Sequence, residues 1–171
     1  FYLPFYLLTG ANFPTAIGVL VMAIAFVLGA TALLDRFARY HFRSVSLGVY
    51  LLLQIPTVAC SGILYLAKFP TFYSLPIMCG LAFSVWGLYC WMRSRLSGHR
   101  CAWLFAGSLC MALVAGCRPQ LLVLSLLAFP LFWRTYITER RLLTAAGARE
   151  FACLAAPYVL VAVGIMGYNY A

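Results

Sequence analysis

The sequence predicts an all-α protein, a polytopic membrane helix bundle of about six transmembrane helices with a partial one before them. Hydrophobic residues fill 65% of the 171 positions and charged residues only 9%, and the mean hydropathy is +0.98. A single soluble core cannot bury that proportion of apolar residues. The arginines cluster in short segments between long apolar runs, which is typical of membrane-protein loops. The lipid bilayer is therefore the expected partner, and the net charge of +9 indicates topology and not nucleic acid binding.

The predicted spans are the apolar runs between turns and basic segments. Residues 1–8 are too few to cross a bilayer alone, and Pro14 closes a turn before the first complete run. Between the last two spans, residues 138–150 mix leucines with arginines, which predicts a short helix lying in the membrane interface. The six predicted spans cover residues 15–34, 45–67, 77–92, 101–116, 120–137 and 151–168.

Two prolines shape these spans. Pro56 lies inside the second span and should kink it, and we expect the nearby Gln54 to find its polar partners on helices outside this chain. Pro119 interrupts the apolar run of residues 101–133. As one straight helix that run would reach roughly 50 Å at ~1.5 Å per residue, well beyond a ~30 Å hydrocarbon core. Because proline disfavours helix at the residue before it, the chain is predicted to turn at Arg118.

Small residues predict close contacts between helices. The seven cysteines contain no Cys-x-x-Cys pair and mostly fall within spans, so we interpret them as small apolar packing residues. Small residues four positions apart also allow helix backbones to approach. These pairs are Ala25 and Gly29, Gly80 and Ser84, Ala112 and Gly116, and Ala152 and Ala156.

Basic residues orient the predicted bundle. All but two of the 12 lysines and arginines lie in three segments, 35–43, 93–100 and 134–150. The other two are Lys68 and Arg118. Because positively charged loops face the cytoplasm, the three segments are predicted to be cytoplasmic. Lys68 and Arg118 then face outward.

The sequence lacks the patterns of a complete catalytic site. Its carboxylates are Asp35, Glu139 and Glu150, all in the predicted cytoplasmic segments, so no acid or base is expected beside Arg118. Both histidines lie in those segments too, and no zinc-ligand spacing or glycine-rich phosphate loop occurs. No catalytic residue, metal ligand or cofactor is therefore assigned within this chain.

Arg118, Gln120 and Lys68 are the candidate binding residues. A guanidinium at a membrane boundary, with a Gln amide close by, is suited to receive a phosphate or carboxylate. Lys68 could assist from the loop before the third span. The alternative interpretation is structural, because Arg118 could snorkel to the headgroups or cap the carbonyls that end the fourth span. Lys68 would then only anchor an aromatic-rich surface loop.

Two short motifs resemble a known family. Gly116-Cys117-Arg118-Pro119-Gln120 leads into a Leu-rich span, and a later span contains Pro157 and ends in Gly167-Tyr168-Asn169-Tyr170. Over residues 45–171, the chain is similar to the central part of bacterial membrane proteins related to the dolichyl-phosphate-mannose protein mannosyltransferases, the C-type membrane glycosyltransferases.

The resemblance implies part of a cell-envelope glycosyltransferase in the bacterial cytoplasmic membrane. Its sugar donor would be a polyprenyl-phosphate sugar bound at the extracytoplasmic face, and the resemblance allows for a divalent metal in the parent enzyme. The family's catalytic acid lies in its first large extracytoplasmic loop, and no residue here matches it. We therefore expect residues 1–171 to form a single transmembrane domain, a fragment that packs against the remaining helices of a larger protein.

Two other functions are compatible with the same residues. A transporter or lipid flippase would use Gln54, Pro56 and the break at Pro119 as broken-helix elements that line a path. A non-catalytic scaffold subunit would need no site at all. An acidic residue in the first outward loop of the parent would favour the glycosyltransferase over both alternatives.

Overall fold

A computed structural model describes residues 6, 10, 14–42, 46–138 and 144–170. The longer elements in these ranges are all helical, which confirms the predicted all-α class. A 3-10 helix, Pro119–Leu127, precedes α6, and a π-helical turn, Arg134–Thr138, follows it. The α-helices are α1 (Thr15–His41), α2 (Leu47–Ala59), α3 (Ile63–Lys68), α4 (Ser74–Ser94), α5 (Arg100–Cys117), α6 (Ala128–Trp133) and α7 (Ala145–Tyr170).

Four of these helices, α1, α4, α5 and α7, are long and apolar enough to cross a membrane. The chain is therefore an integral membrane protein, as its composition predicts. The predicted spans 45–67 and 120–137 are interrupted helices. In the first, α2 and α3 are separated by a turn in which Gly62 has a φ of 76°, a conformation that glycine adopts without strain. In the second, the 3-10 helix precedes α6.

Two helices run well beyond the predicted spans. Helix α1 continues through the basic segment to His41, where Arg39 Nε lies 2.9 Å from Asp35 Oδ1 in an i,i+4 ion pair. Helix α7 begins at Ala145. The separate interfacial helix predicted for 138–150 is therefore wrong over residues 145–150, which belong to α7, and residues 139–143 lie outside the described part of the chain.

Helix α4 lies at the centre of the bundle. It packs against α1 on one side and α5 on the other, and α5 also packs against α7. Two apolar clusters form between these helices. The first joins α1 and α4 and includes Val19, Phe26, Met78 and Ala82. The second joins α4 and α5 to α6 and the π-helical turn, and contains Trp91, Leu104, Met111, Phe132 and Tyr136.

The α4–α5 crossing depends on two glycines that face each other. An ideal Cβ on Gly107 would lie 2.5 Å from Trp91 Cδ1 and 3.0 Å from the Gly87 carbonyl oxygen. An ideal Cβ on Gly87 would lie 2.8 Å from Met111 Cγ. Only residues without a side chain let the two backbones approach this closely. The space beside them is filled by Trp91, which is fully buried and donates its indole N–H to Ser108 Oγ at 3.2 Å.

The predicted small-residue contacts are partly confirmed. An ideal Cβ on Gly29 would lie 2.9 Å from Nε1 of Trp86, whose indole N–H donates to the Ala25 carbonyl at 2.9 Å. Ala112 is likewise buried. Ala152 and Ala156 are both exposed, so that predicted pair makes no close helix contact within the described residues.

The bundle has two chemically distinct ends. At what we call the basic end, Arg95 Cζ lies 5.7 Å from the centroid of the Tyr40 ring, and Arg100 is paired with Glu150. At the opposite end, Arg118 lies beside Gly80, and Gly116 lies near Ile165. These contacts make α1 and α4 parallel to each other and antiparallel to α5 and α7.

The glycine crossing generates a stability prediction. We expect Gly107→Ala to lower stability by about 1–3 kcal/mol, because the added methyl group meets the Gly87 backbone and the buried Trp91, neither of which can easily move. Gly164→Ala is the matched control in α7, since an ideal Cβ there meets nothing within 4 Å. It should be neutral or stabilising by up to ~1 kcal/mol. Thermal unfolding in detergent measures both, and equal melting of the two variants would contradict the close crossing.

Candidate functional site

The break between α5 and the 3-10 helix positions the first candidate residue. Arg118 is extended, with φ −149° and ψ 97°, as a residue before proline prefers. Its N–H donates to the Val114 carbonyl at 2.8 Å, and its own carbonyl accepts from the Leu121 N–H at 3.0 Å. The backbone is thus satisfied on both sides of the break. The turn predicted at Pro119 is confirmed, and the chain returns from there toward the basic end.

The Arg118 side chain is half-buried against α4. Its Cβ and Cγ lie 3.7 and 3.9 Å from an ideal Cβ on Gly80, so the aliphatic stem packs beside Gly80, while the space left by the missing side chain there is taken by Leu121, whose Cδ1 lies 2.9 Å from that ideal Cβ. Within the described ranges, the guanidinium makes no hydrogen bond or ion pair. A cation held by its stem with its donors uncommitted can receive an oxyanion.

Neither of the other two candidate residues is hydrogen-bonded to Arg118 in the described part of the chain. Gln120 is exposed at the second position of the 3-10 helix. Lys68 is exposed at the last position of α3, with its ammonium 5.4 Å from the centroid of the Phe69 ring. Across the described residues, no hydrogen bond joins any two of the three. Arg118 is therefore the best positioned of them for binding.

The turn after Lys68 is ordered by a single hydroxyl. Ser74 Oγ donates to the Phe69 carbonyl at 3.0 Å and accepts from the Thr71 N–H at 3.1 Å. Ser74 is buried at the start of α4, so these bonds tie the loop to the bundle. Lys68 is thus placed at the same end of the bundle as Arg118, one turn of chain before α4.

The bundle provides no metal centre that sequence reasoning overlooked. Among the residues with a described placement, no three His, Cys, Asp or Glu side chains come together as metal ligands. The seven cysteines are free thiols. The described residues therefore offer no ligand set for a divalent metal in the parent enzyme.

One charged cluster was missed by the sequence analysis, which placed Glu150 in a loop. The structure buries Glu150 in α7, where it is 6% exposed, with its Oε2 3.3 Å from Arg100 Nε and 3.5 Å from the Tyr136 hydroxyl. The Arg100 contact is an ion pair without a hydrogen bond at Nε. Gly147, Glu150 and Pro157 are buried at helical spacing on one face of α7, but a Gly, a Glu and a Pro form no apolar stripe that would mark this face in the sequence. The cluster joins α5, α7 and the π-helical turn at the basic end.

The polar residues inside the second predicted span find a partner within the chain. Gln54 Nε2 donates to Thr31 Oγ1 at 2.8 Å, and the Tyr50 hydroxyl donates to the Thr31 carbonyl at 3.1 Å. The expectation that Gln54 is satisfied only by helices outside the chain is therefore wrong for its amide nitrogen. Its Oε1 is buried and has no hydrogen-bond partner among the described residues.

No model of a known protein family matches the chain, and neither does any curated protein or solved structure. The resemblance to membrane glycosyltransferases therefore stays a prediction that rests on the motifs around Arg118 and at residues 157–170.

The buried ion pair generates a second stability prediction. We expect Glu150→Gln to destabilise the bundle by roughly 2–4 kcal/mol, because it leaves the largely buried Arg100 without its counter-charge. Asp35→Asn is the matched control, since it breaks the exposed pair with Arg39, whose side chain is 75% exposed. That change should cost about 0.5 kcal/mol or less. Thermal melting in detergent compares them, and a Glu150→Gln variant as stable as Asp35→Asn would show that the pair is not structural.

Proposed function

We propose that the chain is part of an integral membrane glycosyltransferase of the bacterial cytoplasmic membrane. Its donor is a polyprenyl-phosphate-linked sugar bound at the extracytoplasmic face. The observation that carries the proposal is Arg118, a half-buried guanidinium with no partner in the described part of the chain. It lies at the end of the bundle opposite the arginine-rich segments.

The chemistry of such a donor requires a cation near its phosphate. In sugar transfer, an acceptor oxygen bonds to the anomeric carbon while the bond from that carbon to the phosphate oxygen breaks, and the electron pair leaves with the phosphate. A carboxylate outside this chain takes the acceptor's proton. Arg118 stabilises the growing negative charge on the leaving phosphate through paired N–H donors in one plane.

Gln120 and Lys68 have supporting roles in this proposal. The Gln120 amide lies two residues after Arg118 on an exposed turn of the 3-10 helix, where it can donate to a second phosphate oxygen. Lys68 attracts the anionic headgroup by its charge. Its ammonium over the Phe69 ring also suits an interfacial anchor, so its contribution to binding is the smallest of the three.

The main rival is a transporter or lipid flippase, which the interrupted helices favour. Helices α2 and α3 are separated by a turn, and Gln54 Oε1 is buried nearby without a partner in the described residues. Broken helices with unpaired polar groups line substrate paths in many transporters. Movement of a labelled lipid across vesicles by the purified parent protein, with no sugar transfer, would favour this rival over the enzyme.

The proposal needs six crossings with the arginine-rich segments inside, and cysteine labelling tests this. In a background without native cysteines, Pro70→Cys should react with a membrane-impermeant maleimide in intact cells. Gly98→Cys should react only after permeabilisation, because the segment 93–100 is predicted to be cytoplasmic. Both positions are exposed. Outside labelling at Gly98→Cys would reverse the orientation and remove Arg118 from the extracytoplasmic face.

Two substitutions of Arg118 test separately the role of its charge and the role of its paired N–H donors. In the full-length parent protein, Arg118→Lys keeps the charge but loses the paired donors, and Arg118→Ala loses both. Transfer from a polyprenyl-phosphate sugar should fall in that order. Losing one charged hydrogen bond of roughly 1.5–3 kcal/mol weakens donor engagement by about ten- to a hundredfold.

The control for this experiment is Arg149→Lys, at an exposed arginine of the basic end. It should transfer sugar like the wild type, and melting curves exclude misfolded variants. If Arg118 only snorkels, lysine should replace it almost fully. Wild-type rates in both Arg118 variants would remove the residue from the donor site.

A further inference from the structure

An apolar cavity of about 590 Å³ lies in the half of the bundle nearest the basic end. That volume is within the range of ligand-binding sites in proteins. The residues that line it on α1 extend from Phe26 to Tyr40, roughly 21 Å of helix at ~1.5 Å per residue. One leaflet is about half of a ~30 Å hydrocarbon core, so this stretch spans the depth of a leaflet and continues into the headgroup region. Its apolar walls include Leu33, Phe37, Val85, Leu88, Leu127 and Leu131.

The polar side chains of the cavity are concentrated at one mouth. Thr57 also lines the wall, but its hydroxyl is donated to the Leu53 carbonyl of its own helix at 2.7 Å. Arg95 and Tyr40 lie together at the basic end, with Arg95 Cζ 5.7 Å from the Tyr40 ring centroid. The cavity therefore has an apolar shaft with a cation at its opening.

Unlike Arg39, Arg93 and Arg100, Arg95 makes no hydrogen bond or ion pair within the described residues. Arg93 donates to the Tyr89 hydroxyl at 2.7 Å and stacks over the Trp103 ring at 4.2 Å. Arg39 and Arg100 are paired with carboxylates. Arg95 is exposed, and within the described residues it makes no hydrogen bond or ion pair. Its guanidinium is thus available to an anionic group at the cavity mouth.

We propose that this cavity binds an acyl chain of an anionic phospholipid whose phosphate is held by Arg95. The apolar shaft matches hydrocarbon in chemistry and length, and the guanidinium matches a phosphate in charge and geometry. Basic pockets between transmembrane helices are known to select anionic headgroups. The site lies at the opposite end of the bundle from Arg118, so it does not depend on the proposed donor site.

The test compares two lipids with identical acyl chains, phosphatidylglycerol and diacylglycerol, which lacks the phosphate. Native mass spectrometry of the full-length protein should show wild type retaining phosphatidylglycerol in preference to diacylglycerol. Arg95→Gln should weaken phosphatidylglycerol binding by about tenfold or more and leave diacylglycerol unchanged, since one charged hydrogen bond to the phosphate is lost. Arg149→Gln, which removes an exposed charge away from the cavity, should bind both lipids like the wild type.

A second experiment tests whether the acyl chain lies in the apolar shaft, by locating where a labelled chain crosslinks. A phosphatidylglycerol with a photoreactive group on its acyl chain should crosslink to peptides containing residues 26–40 and 85–96. Leu33→Trp should reduce this crosslinking by occupying the cavity. Because that variant could fold poorly, the wild-type crosslink map stands as an independent result. Three results would each overturn the proposal: equal retention of both lipids, unchanged phosphatidylglycerol binding by Arg95→Gln, and crosslinks only outside the cavity. The last result would indicate that another helix of the parent covers the cavity.

Discussion

The close approach of α4 and α5 at Gly87 and Gly107 is the contact on which the rest of the bundle depends. Within a bilayer, lipid tails are as apolar as side chains, so helices associate through tight packing and not through hydrophobic exclusion. The two glycines allow that packing, and Trp91 fills the space beside them. Because α4 also carries Trp86 into α1, the same helix connects both sides of the molecule.

Several polar side chains inside the bundle are hydrogen-bonded to one another between helices, since an unsatisfied group in hydrocarbon is costly. The Tyr158 hydroxyl bonds to Ser125 Oγ at 2.9 Å, and Trp91 bonds to Ser108 across the α4–α5 contact. At the basic end, Arg39 and Arg100 are paired with carboxylates, and Arg93 stacks on the Trp103 ring. Arg118 and Arg95, in contrast, each make no hydrogen bond or ion pair within the described ranges. Both are guanidiniums beside apolar surface, an arrangement suited to lipid phosphate.

The candidate site could be predicted only in part. Arg118 was identifiable because a single charge and a proline interrupt a long apolar run, which is a local property of the sequence. That no hydrogen bond joins Lys68 or Gln120 to it within the described residues could not be predicted, because this depends on how α3 and the 3-10 helix pack. The Arg95 cavity lies among four separated segments, so no single stretch of sequence signals it.

The sequence by itself determined the all-α membrane class and the turn at Pro119, because composition, run length and the geometry of proline act over a few residues. Tertiary structure alone decided which small residues meet: Gly87 faces Gly107, whereas Ala152 and Ala156 are exposed. It also decided that Glu150 is buried against Arg100. The physical reason is that packing between helices distant in sequence sets how far each helix is rotated about its axis and how deep it lies in the membrane. That packing leaves no signal within either helix.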